Sequence, residues 1–73
     1  MQIYMTRIDQ SRNMRRFYEV AVEQDLLGDW HCVRRWGRIG RKARRQWSIY
    51  PSKSKAAEEA TRVFLLKRRR GYM

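Results

Sequence analysis

Between positions 34 and 45 the chain reads Arg-Arg-Trp-Gly-Arg-Ile-Gly-Arg-Lys-Ala-Arg-Arg, a stretch dense in cations that contains no acid. A guanidinium is planar and pairs with phosphate through two parallel N–H donors. Glycine lets backbone N–H groups come close to an anion, and an indole beside them stacks on a base or sugar. These residue types at this spacing suit a grip on a polynucleotide. Arg35, Arg38, Arg41, Lys42, Arg44 and Arg45 are the candidate phosphate contacts, Trp36 the stacking ring, and Gly37 and Gly40 the residues that shape the backbone. The competing reading is a solvated hairpin whose cations face water and whose Trp36 plugs the core, because tryptophans are mostly buried.

Other chemistry is hard to assemble. His31 and Cys32 are the single members of their types, and neighbours in a strand point to opposite faces, so they make no nucleophilic dyad. Structural zinc needs four Cys or His ligands, which excludes a metal site of that kind. Glu58 and Glu59 diverge by about 100° on a helix, and a place near its positive end already accounts for them. Gly37-x-x-Gly40 has the spacing of the KH-domain clamp, but that loop joins two helices, whereas both flanks here read as strands. No Gly-Lys-Ser/Thr follows, so it is not a P-loop. The expectation is a binding protein without catalytic residues or cofactor.

Composition agrees. Eighteen Lys and Arg against 7 Asp and Glu give a formal charge of +11 over 73 residues, which favours anionic partners. A chain of this length forms one domain, 1–73, with little protein to wall off a deep cleft. Hydrophobic residues make up 42%, including 3 Trp, 4 Tyr and 2 Phe, enough to fold despite the charge. One cysteine allows no internal disulfide, which points to a reducing, cytoplasmic setting. The N-terminus has no apolar h-region and the longest apolar run is Val63-Phe64-Leu65-Leu66, so neither a leader nor a membrane span is expected.

Periodicity places the elements. Residues 2–8 are rich in β-formers and end at turn chemistry from Asp9 to Asn13. Residues 15–23 alternate, with Tyr18, Val20 and Val22 on one side of the pleat. Residues 30–36 form a third strand whose facing is ambiguous, and a fourth runs from Arg45 to Tyr50, where Pro51 ends it. Ser52 and Ser54 are both candidate N-caps of a helix over about 54–70, with Glu58 and Glu59 early, Lys67 to Arg70 late and Gly71 as its stop. Ala56, Ala60, Val63, Phe64 and Lys67 fall on one stripe of it. The predicted fold is α+β: a small antiparallel sheet of four strands, with a fifth allowed, and one C-terminal helix packed on one face.

Three motifs in order, Asn13-Met-Arg-Arg-Phe-Tyr18, Trp36-Gly37-Arg38-Ile39-Gly40 and Lys67-Arg-Arg-Arg-Gly71-Tyr72, together resemble the WGR domain. They span nearly the whole chain, which looks like a stand-alone bacterial member. The resemblance implies a small antiparallel sheet with a helix against it and nucleic-acid binding. In DNA-dependent poly(ADP-ribose) polymerases the domain grips DNA near a break and relays that contact to a separate catalytic domain. By similarity Trp36 would stack on the sugar or base of a terminal nucleotide, and Arg38 would contact phosphate or a neighbouring domain. The chain departs from the family after Gly40, where Arg41-Lys42-Ala43-Arg44 replaces a pattern that commonly continues to Gly-Gln. Alanine resists positive φ, so a differently shaped turn is expected. The Lys67–Arg70 run also suits a helix C-terminus regardless of ligand, and Tyr72 reads as a packing residue.

Two functions follow. The first is a DNA-binding module for duplex or ends, with RNA as a further substrate and little base specificity. The alternative is an adaptor that docks an acidic protein partner on the same basic face. A membrane-surface role is disfavoured, since the helix's apolar stripe is needed for the core.

Overall fold

A computed structural model describes residues 1–73. Strand β1, Gln2–Asp9, ends where the Asp9 carboxylate accepts hydrogen bonds from the Ser11 backbone N–H at 3.1 Å and the Ser11 hydroxyl at 2.6 Å. A single 3-10 turn and Asn13, left-handed at φ 51°, reverse the chain into β2, Met14–Gln24. The next connection is organised by Asp25, whose Oδ1 accepts from the Leu27 and Asp29 N–H groups and whose Oδ2 lies 2.7 Å from His31 Nε2. The bond to His31 is the main reason that the Asp25 carboxyl is held below its ordinary pKa. Strands β3, Trp30–Arg38, and β4, Arg44–Tyr50, follow, then helix α1, Lys53–Arg69, capped by the Ser52 side chain on Lys55 N–H at 3.2 Å.

The strands pair antiparallel in chain order, β1-β2-β3-β4, so the predicted α+β meander with one covering helix is what forms. The register aligns Met5, Tyr18, Trp36 and Arg44 in one row across all four strands. Residues alternate across a pleat, so Ile3, Val20 and Cys32 share the helix side with that row. The helix lays Ala56, Ala60 and Val63 against this side, each no more than 1% exposed, over Val20 at 0% and Cys32 at 2%. Small side chains at 56 and 60 bring the helix backbone close to the sheet. Burial pushes the Cys32 thiol pKa up. Ala60→Leu forces extra methylenes into this contact and is expected to cost about 1–3 kcal/mol, read as a lower urea midpoint.

The chain end closes the core. Gly71, at φ 94°, reverses the backbone after α1 while its N–H and that of Tyr72 bond the Arg68 and Lys67 carbonyls at 3.1 Å. Positive φ of this kind is routine for glycine and strained for other residues. Tyr72 then turns inward, 8% exposed and edge-on to Tyr18 at 6.2 Å, while Met73 exchanges both backbone hydrogen bonds with Thr6. The sheet therefore has four strands and the allowed fifth does not form, the chain end meeting the β1 edge at Met73 alone. The backbone forms a slab of 45 × 24 × 14 Å. Its second sheet face carries no helix.

Candidate nucleic-acid interface

At the end of the sheet nearest the C-terminus of α1 lies an open cleft of about 740 Å³. Its cations are Arg16 from β2, Arg38 and Arg44 from the ends of β3 and β4, Arg41 and Lys42 from their connecting turn, and Lys67 from the helix. Trp36, Tyr72 and Gly37 complete the lining, and no carboxylate contributes to it. Trp36 is half-buried: it stacks on Tyr18 with centroids 5.8 Å apart and planes at 17°, and it also borders the cleft. The ring is thus neither sealed in the core nor fully exposed: one face packs on Tyr18 and part of it borders the cleft.

Lys67 Nζ sits 4.5 Å over the Tyr18 ring and 5.7 Å from that of Tyr72, within range for cation–π attraction. Burial, then Arg70 and Arg34, lowers its pKa. Arg38 reaches across the sheet end to the Asn13 carbonyl at 3.0 Å and its Oδ1 at 3.2 Å, fixing one end of its guanidinium beside the β1–β2 connection. The turn closes through Arg41 N–H to the Arg38 carbonyl at 3.0 Å, with Gly40 at φ 84°. A Cβ there would meet nothing within 4 Å, so backbone conformation alone calls for glycine. At Gly37 a Cβ would lie 3.5 Å from the Lys42 carbonyl, which shows how closely the turn folds back over the strand.

Alternation divides the predicted set. Trp36, Gly37, Arg38, Arg41, Lys42 and Arg44 converge on the cleft, and Gly40 shapes its turn. Arg35 and Arg45 pair with each other in the register and lie on the opposite, open face. There Arg35 Nη1 bonds Glu19 Oε1 at 2.7 Å, and Gln2 Nε2 donates to the other Glu19 oxygen. Arg16, Lys67 and Tyr72 lay outside the predicted site, although two of the three motifs contain them. His31 and Cys32 occupy opposite faces, and Glu58 and Glu59 pair with Lys55 and Arg62 on the helix surface.

A four-stranded meander under one helix, with a cation-lined aromatic cleft at its end, defines a basic binding domain of a single sheet. The chain belongs to the WGR domain family, which it matches over residues 1–73 and whose members are generally nucleic-acid-binding modules. It is similar to the uncharacterized protein y4dW of Sinorhizobium fredii, at 40% identity over 75 residues covering 97% of this chain and 35% of that protein. The chain thus spans about a third of the length of this curated relative. No solved structure matches it. No helix is long and apolar enough to cross a membrane.

Proposed function

We propose that the cleft binds DNA through its phosphates, with Trp36 and its Tyr18 support stacking against a terminal or unpaired nucleotide. The carrying observation is the convergence of six cations and a half-buried indole with no acid among the lining residues. Phosphate placed there would favour the charged amine of Lys67, whose pKa is lowered first by burial and then by Arg70 and Arg34. The role needs no catalytic group or cofactor, and it fits a cytoplasmic protein. Base specificity is low, because backbone contacts position a duplex without reading its sequence.

Trp36→Ala is expected to weaken binding to ended or single-stranded DNA by about 1–3 kcal/mol and to affect a closed circle less. Equal loss on every substrate, with an unchanged melting temperature, would contradict end stacking. The same gel-shift panel, extended to RNA, ranks the two nucleic acids. An acidic protein that co-purifies in stoichiometric amount from nuclease-treated lysate, with no DNA affinity, would replace this reading with the adaptor.

A further inference from the structure

The open face of the sheet holds aromatic groups that the cleft leaves unused. Tyr4 and Trp47 are 57% and 53% exposed there. Each is held by a second ring: Tyr4 stacks on Phe17 at 5.7 Å and 11°, and Trp47 meets His31 edge-on at 5.8 Å and 84°. The Arg35 guanidinium covers Phe17 from 5.9 Å, and Arg45 lies next to Arg35 across the β3–β4 ladder. One register row, Tyr4, Glu19, Arg35, Arg45, therefore crosses the whole sheet, and Trp47 follows Arg45 on the same face two residues along β4. The acid in that row is neutralised, since Glu19 is bonded by Arg35 and Gln2. The other acids near this face gather toward the far end of the strands, Glu23 opposite His31 and Asp25 bonded to His31 at 2.7 Å.

Exposed rings on either side of a guanidinium pair match the bases and phosphates of an unpaired strand better than they match an aliphatic protein surface. Rings with fixed orientation lose little freedom on stacking, and a sheet with aromatic groups on its free face is a known way to splay unpaired bases. We propose that this face is a second nucleic-acid surface, a platform on which an unpaired strand lays bases on Tyr4 and Trp47 and phosphates near Arg35 and Arg45. Three strand spacings, about 14 Å, separate the β1 and β4 rings, so they take bases that are not neighbours in the strand. Paired bases are shut inside a duplex and cannot use it. The inference shares the polyanion reading of the cleft but names a different surface and a different ligand form.

Trp47→Leu and Tyr4→Leu keep apolar cover on the sheet and remove the π-face. Each is expected to lower affinity for a short oligothymidylate about tenfold, with blunt-duplex affinity and melting temperature close to the parent's. Oligothymidylate should quench tryptophan fluorescence in Trp36→Phe, where the cleft indole is gone, and most of that quenching should be lost when Trp47→Leu is added to Trp36→Phe. Parental oligothymidylate affinity in both leucine variants, or quenching that survives in the double variant Trp36→Phe with Trp47→Leu, overturns the platform while duplex binding leaves the cleft standing. Equal loss on duplex and single strand also overturns it. A parent chain that binds neither form removes both readings.

Discussion

Raising salt from 50 to 200 mM is expected to lower the affinity of this chain for duplex DNA by about 10³-fold. Six cations line the cleft. If each neutralises one phosphate, counterion release gives a log–log slope of about −5.4, and four contacts give about −3.6. Fluorescence anisotropy across a salt series reads the slope directly, and a value near zero would remove DNA as the ligand. The geometry makes a finer statement. Arg41→Gln and Lys42→Gln each reduce the slope by about 1, because both side chains border the cleft. Arg45→Gln, on the other face of the sheet, leaves the duplex slope near the parent's.

Tyr72→Ala is expected to destabilise the fold by about 3–5 kcal/mol, the usual loss when a buried ring of this size is truncated. A domain of 73 residues is stable by about 4–11 kcal/mol in all. The variant therefore loses a large part of its stability, visible in urea or thermal melts. The cause is local: Tyr72 is 8% exposed within a cluster that includes Met5, Tyr18 and Val63. Tyr72→Phe keeps the ring and its edge-on contact with Tyr18, and is expected to melt close to the parent. Because Tyr72 also borders the cleft, the alanine variant should lose DNA affinity at temperatures where it still folds.

Much of this fold is legible in the sequence because local chemistry and burial agree. The β2 alternation of Tyr18, Val20 and Val22 appears as the covered side of the sheet, and the helix predicted over 54–70 forms over Lys53–Arg69. Of the two candidate caps, Ser52 is the one whose side chain accepts from the first turn. Strand β3 resists such reading for a physical reason. Its helix side includes Arg34, bonded to Gln46, while its open side includes Val33 at 6% exposure, so neither side is uniformly apolar. That ambiguity carries into the site. Consecutive arginines at 34 and 35 look like one cluster along the chain, yet the pleat sends them to opposite faces. Lys67 and Arg16 join Trp36 only through tertiary packing, which no spacing along the chain encodes. The open-face rings escape notice because exposed and buried aromatics look alike in a strand pattern.

The slab's shortest dimension, 14 Å, is comparable to the Debye length of about 10 Å at 0.1 M salt. Exposed charges on the two broad sides are therefore partly screened from one another, and it is the net charge of +11 that a polyanion meets at long range. On the proposed reading, that net charge brings a polyanion to the surface, and the placement of cleft and open face sorts its orientation after first touch.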